Sequence, residues 1–140
     1  MLRKMKRGSG LPQNSFFPAI QMKMLFMIIY NSLFMYEYGT VVLIEYPYTD
    51  LVGVKLRPAI VIKDTNDSDF IVVRATSQPR LSANDVTVED WQEAGLLKPT
   101  IIRVHKLTTL ETKLVKRKMG KLSARDLNSL SICIRKLFEQ

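Results

Sequence analysis

The apolar residues of this chain fall into short, dense runs set apart by polar and turn-forming clusters, the spacing of strands rather than of helices. After the lead Tyr36-Glu37-Tyr38-Gly39, the run Thr40–Tyr46 (TVVLIEY) is rich in β-branched and aromatic residues, and Pro47 closes it. Tyr48–Leu56 reads as a loop around Asp50 and Gly53. Ala59–Lys63 (AIVIK) predicts a second strand, Asp64–Asp69 a turn, and Phe70–Thr76 (FIVVRAT) a third strand. Asp85–Val88 predicts a short strand, Glu89–Ala94 a helical turn stopped by Gly95, and Thr100–His105 and Lys113–Met119 two more strands. The period changes only near the end. Ser123 opens a helix with Asp126 as its capping-box partner, and Leu127, Leu130, Ile134, Leu137 and Phe138 give it one apolar stripe. Short strands followed by a closing helix predict a mainly β, α+β domain, built as a small, strongly bent sheet or partial barrel.

Residues 1–35 break with this pattern. They hold six of the seven methionines, five basic residues and no acid, and lead from a basic head to the apolar run Met24–Tyr30. Asn31 and Ser32 end that run too early for it to span a bilayer. No small-residue cleavage site follows, which sets export behind two other readings. In one, Met35 or a neighbour is the true start and the upstream segment is read-through. In the other, residues 1–35 are a loosely ordered N-terminal arm. Both leave residues 36–140 as the domain.

Composition narrows the chemistry. The 140 residues, 46% hydrophobic and 24% charged, suit one globular domain. A single cysteine, Cys133, excludes a disulfide framework and suits a reducing cytoplasm; a single histidine, His105, excludes a His-rich metal site. Lys and Arg outnumber Asp and Glu by 21 to 13, a net charge of +8 that favours a polyanionic partner. The excess is local: residues 36–97 carry −5 and residues 98–136 carry +9, densest around Lys113, Lys116, Arg117, Lys118 and Lys121. That stretch is either a solvated surface strand or a phosphate-tracking face. The Asp64–Asp69 turn lacks the glycine and the closing glutamate of a calcium loop, having Ala75 at the latter position. No phosphate loop and no metal-ligand cluster is legible, so no metal and no cofactor is expected. Cys133 lies beside the helical stripe and reads as a small core residue. Catalysis, if any, falls to Arg, Lys, Thr, Ser, Tyr or His105.

Three segments in order carry a likeness to a known family. They are Tyr46-Pro47-Tyr48-Thr49-Asp50-Leu51 with the following Lys55-Leu56-Arg57-Pro58-Ala59-Ile60-Val61-Ile62, then Ala75-Thr76-Ser77-Gln78, then Leu97-Lys98-Pro99-Thr100-Ile101-Ile102-Arg103-Val104. With the Gly120–Ser123 approach to the last helix, they resemble the PemK/MazF toxins of bacterial toxin–antitoxin pairs, over about residues 36–140. The resemblance implies an SH3-like, twisted small barrel with a C-terminal helix. It implies a cytoplasmic homodimer that cuts single-stranded RNA without metal and is blocked by a cognate antitoxin, with operator DNA reached only through the antitoxin complex. By the same resemblance Arg57 and Thr76 are catalytic positions. Arg103 matches a late-strand arginine, but the aspartate expected two residues on is His105.

Metal-free RNA cleavage uses the neighbouring 2′-hydroxyl as nucleophile, so the protein must align ribose and phosphate, assist proton transfer and stabilise charge on the phosphate oxygens. A guanidinium suits the last task, since it is planar, permanently charged and binds two oxygens at once. Pro58 biases Arg57 toward an extended conformation at a strand boundary. Thr76 and Ser77 offer hydroxyl hydrogens, and Lys55, Gln78, Lys116, Arg117 and Lys118 are further RNA contacts. His105 is the one side chain whose ordinary titration lies near neutrality. Each has a plainer reading: Arg57 covering a barrel end with its stem, Thr76 forming a turn, Arg103 and His105 a solvated pair on one strand face. A non-catalytic nucleic-acid binder or a gyrase-directed toxin on the same barrel is the alternative function.

Overall fold

The computed structural model describes residues 19–26, 35–46, 53–79 and 81–139. Residues up to Met35 form a unit of their own, described at 19–26, where the chain is helical and exposed, and at Met35 itself. The rest of that segment, and residues 47–52, where most of the expected loop falls, lie outside the described residues. Among the described residues no helix is long and apolar enough to cross a membrane.

The unit from Tyr36 is one antiparallel sheet of six strands: β1 (Thr40–Tyr46), β2 (Lys55–Asp64), β3 (Asp69–Thr76), β4 (Asp85–Thr87), β5 (Ile101–Glu111) and β6 (Val115–Lys121). Their spatial order is β4-β5-β3-β2-β1-β6, so the sheet is open, with β4 and β6 at its two ends. The C-terminal helix, Ala124–Phe138, follows. This is the expected mainly β architecture with its closing helix.

Alternation along the strands explains why both faces are apolar. Val41, Ile60, Val73, Ile102 and Val104 join Leu130 of the helix in the main core, against which Leu127, Ile134 and Leu137 also pack. Their chain neighbours Val42, Ala59, Val61 and Val72 join Ile44 and Phe70 in a second cluster, flanked by Tyr36, Tyr46 and Leu110. Cys133 and Trp91 pack on the main core. Phe138, the last residue of the expected stripe, is exposed.

Three elements differ from the sequence reading. β2 begins at Lys55, so Lys55 and Leu56 are strand where a loop is expected, and Arg57 and Pro58 extend the strand ahead of Ala59. β5 continues past His105 to Glu111, because a bulge opposite Val73/Arg74 lets residues 107–111 keep pairing with β3. β6 correspondingly starts only at Val115, after a single 3₁₀ turn over Thr112–Leu114. Residues 89–95 form hydrogen-bonded turns, in which the Ala94 and Leu96 N–H groups donate to the carbonyls of Asp90 and Trp91.

Those turns are tied down at both ends. Asp126, fully buried, is not a capping-box partner alone: its carboxylate accepts the backbone N–H groups of Glu89 (3.0 Å) and Asp90 (2.9 Å). Ser123 accepts the Asp126 N–H at 3.3 Å and donates its hydroxyl to Asp90 at 2.6 Å. At the other end Gly95, at φ +83°, lies against β6 so closely that a Cβ there would stand 2.1 Å from the Met119 carbonyl oxygen. Gly120 faces Ala94 in the same way, at 2.4 Å. Only glycine fits either position. The consequence is a fixed position for Leu96–Lys98.

A cationic cleft where the sheet splits

β2 and β3 are neighbours, yet their pairing stops at Ala59↔Arg74 although both strands run further. Pro58, the next residue of β2, has no N–H to give to a ladder. Beyond it Leu56, Arg57 and Pro58 pair only with β1, while Ala75 and Thr76 pair only with β5. The sheet therefore divides, and a cleft of about 450 Å³ lies at the division. Arg57 and Pro58 line one side, Thr76, Ser77 and Gln78 the other, and Leu96, Leu97 and Lys98 close it.

Lys55, Arg57 and Lys98 bring three cations to this lining, and among the described residues no carboxylate belongs to it. Arg57 is half-buried, which keeps its charge partly out of water and strengthens its pull on an anion. Thr76 Oγ1 accepts the backbone N–H of Gln78 at 3.1 Å, a turn-forming bond. That bond uses an oxygen lone pair and leaves the hydroxyl hydrogen to donate elsewhere. Thr76 is thus a turn former whose hydroxyl hydrogen remains available to donate. Leu56 and Leu97 are exposed beside it, giving the cleft an apolar rim.

The structure brings Arg57, Thr76, Ser77, Gln78 and Lys55 together and leaves Arg103 and His105 out of that lining. Arg103 lies on β5, opposite Arg74 of β3 on one side and Asp85 of β4 on the other. Its Nε stands 3.5 Å from Asp85 Oδ1, and the Asp85 side chain is fully buried. The carboxylate that the sequence lacks two residues after Arg103 is thus supplied in space by β4. His105 Nδ1 is buried with no hydrogen-bond partner. Lys116, Arg117 and Lys118 lie on the edge strand β6, exposed and outside the cleft; Lys116 pairs with Glu45 at 3.0 Å. Charge on an edge strand also blocks edge-to-edge pairing with other chains.

Sequence reading passed over Tyr46, Arg74, Asp85 and Lys98 as site residues. Lys98 had a local signal, since it precedes Pro99 in a segment already singled out. The others are brought together by strand register alone. The Arg74 guanidinium lies 6.0 Å from the centre of the Tyr46 ring. Burial pushes the Tyr46 hydroxyl above its usual range, with Arg74 and Arg57 pulling the other way. A second cleft of about 390 Å³ between β4 and the helix is bounded by Asp85, Glu89, Cys133 and Lys136. Burial, with Asp85 adding to it, raises the Cys133 thiol, which disfavours the reactive thiolate. Among the described residues no three His, Cys, Asp or Glu side chains are grouped to hold a metal ion.

No curated protein matches the chain. Among solved structures, the MazE–MazF complex (Form III) from Deinococcus radiodurans superposes with a TM-score of 0.62 at 14% identity, covering 74% of this chain and 96% of that one. The Mycobacterium tuberculosis toxin MazF-mt6 gives 0.57 at 21% identity, covering 71% and 95% respectively. An endoribonuclease from a mycobacterial species, in complex with its cognate antitoxin, gives 0.58 at 14%, covering 71% and 90%. At such identities the likeness is one of fold. Family membership rests on the sequence profile of PemK-like, MazF-like toxins, which matches residues 37–138. Since that match runs from the approach to β1 through the last residue of the helix, every element of the domain falls within it: the chain belongs to the PemK-like, MazF-like family of type II toxin–antitoxin toxins.

Proposed function

We propose that this toxin is an endoribonuclease that cleaves single-stranded RNA through the ribose 2′-hydroxyl, with Arg57 and Thr76 as its catalytic residues. The observation that carries the reading is the division of the sheet at Pro58, which leaves a guanidinium and a hydroxyl lining one cleft whose charged residues, among those described, are all cations. A phosphodiester is the ligand such a lining attracts. Attack by the 2′-oxygen drives charge onto the non-bridging oxygens, and a permanently charged planar donor with a directed hydroxyl opposes that charge most strongly in the transition state. The exposed leucines beside the cleft suit a ribose or base edge, or the side chain of an antitoxin segment lying in the same groove.

Arg103 is not assigned a contact with the reacting phosphate, because it is ion-paired with Asp85 and neither residue is in the described lining of the cleft. His105 likewise stands outside the lining. That absence of imidazole from the cleft favours a second reading, a non-catalytic nucleic-acid binder on the same scaffold. Incubation of purified protein with a long single-stranded RNA in excess EDTA separates the two. The nuclease reading expects fragments ending in a 2′,3′-cyclic phosphate, with 5′-hydroxyls on their partners. Intact RNA that is nevertheless bound supports the binder.

A further inference from the structure

We infer that Tyr46 and Arg74 form a second phosphate subsite beside Arg57, binding a backbone phosphate of the same RNA strand that adjoins the one held in the cleft; this rests on the RNA-cleaving reading above. Tyr46 ends β1 and stands opposite Lys55 in the β1–β2 ladder, one pair beyond Leu56 and two beyond Arg57. Arg74 approaches from β3 across Ala59, its neighbour in the ladder, whose methyl group leaves the face open for a long side chain. The result is an aromatic ring on β1 with Lys55 and Arg57 of β2 and Arg74 of β3 about it.

The Tyr46 hydroxyl is buried and has no hydrogen-bond partner. A buried hydroxyl left unpaired is unfavourable, and native structures keep few of them. Burial holds this phenol protonated at neutral pH, so what it lacks is an acceptor. No carboxylate among the described residues forms an ion pair with Arg74 or Lys55. One neutral donor and two unmatched cations together call for an anion with more than one acceptor oxygen. A phosphodiester has two non-bridging oxygens, one for the phenol and one for the guanidinium. Arg74 sits at the outer limit of a cation–π contact, so the ring holds it weakly and it can turn to meet the anion. RNA is favoured over an acidic protein side chain because its phosphates recur at every nucleotide. A strand held at Arg57 necessarily carries a second phosphate close by.

The test is a titration of a fluorescein-labelled single-stranded RNA at several salt concentrations, with cleavage kinetics on the same RNA, for the wild type, Tyr46→Phe, Arg74→Gln and Arg74→Lys. Tyr46→Phe removes only a hydroxyl that has no partner, so its melting temperature should not fall. Its Kd and KM should rise on the order of tenfold while kcat holds, as expected for one lost hydrogen bond to a charged group. Arg74→Gln should lower the slope of log Kd against log salt by about 0.7, one single-strand phosphate contact, and Arg74→Lys should restore it. Wild-type affinity and slope in folded Tyr46→Phe and Arg74→Gln proteins would overturn the subsite. Unchanged RNA binding with weakened binding of an acidic protein partner would overturn it too, giving the site to that partner. Binding decides the subsite whether or not the RNA is cut; a wild type that binds without cutting overturns the cleavage reading alone.

Discussion

At Arg57 one proline fixes two things. Pro58 biases the arginine to extended backbone and, lacking an N–H, coincides with the end of the β2–β3 ladder, so the residue that needs a cleft stands beside the residue that opens it. Arg57→Ala and Thr76→Ala should each lower the cleavage rate on the order of 10²–10³, the loss expected for one donor to developing phosphate charge. Growth inhibition should fall with the rate while the circular-dichroism spectrum stays the same; a folded Arg57→Ala protein that remains toxic would remove Arg57 from the site. Asp90 gives a second residue-scale test. Hydrogen bonds from Arg125 and Ser123 hold its carboxyl below the ordinary carboxylate range. A folded value below the unfolded one stabilises the protein at every pH above about 3.9, and the gain fades as pH falls through the folded value. Urea midpoints measured downward from about pH 5 should therefore drop less steeply in Arg125→Ala than in the wild type. Equal slopes would show that the pair contributes nothing.

At the scale of elements, the turns over 89–95 have little regular structure of their own and depend on the helix. Asp126 reaches back 37 and 36 residues to take the N–H groups of Glu89 and Asp90. Asp126→Ala leaves those donors without a partner and should cost about 1–3 kcal/mol in urea unfolding, with the denaturant slope unchanged. A loss within experimental error would mean that water replaces the carboxylate. The sequence made the helix legible through Ser123 and its apolar stripe, and it made β1 and β3 legible through their β-branched runs. It hid the second half of β5, where Thr108 and Thr109 give no clear strand-like alternation and pair only because a bulge resets the register against β3. Asp85 was equally hidden. Its partner Arg103 is 18 positions away and becomes a neighbour only through the β4–β5 ladder. Arg57 and Thr76 were legible because each sits in a short motif; Tyr46 and Arg74 have no local signal and meet through the register of three strands.

For the whole molecule, the folding units divide between Met35 and Tyr36. The sheet and helix lie in residues 36–140, a unit separate from residues 1–35. A chain beginning at Met35 should therefore fold with the same melting transition and inhibit growth as the full chain does. An insoluble or inactive short chain would make the N-terminal segment part of the working protein. The cleft itself depends on the entire sheet, since its two sides belong to strands that pair outward, β2 with β1 and β3 with β5. In the reaction proposed for it, the substrate brings the nucleophile. The most direct measurement is therefore made on the RNA: at a mapped cut site, the single ribose 5′ to the scissile phosphate is replaced by deoxyribose, and cleavage and binding are followed in EDTA. The 2′-hydroxyl mechanism predicts that cutting at that site stops while Kd stays within a small factor of the all-ribose RNA. Continued cutting of the deoxy substrate would contradict it.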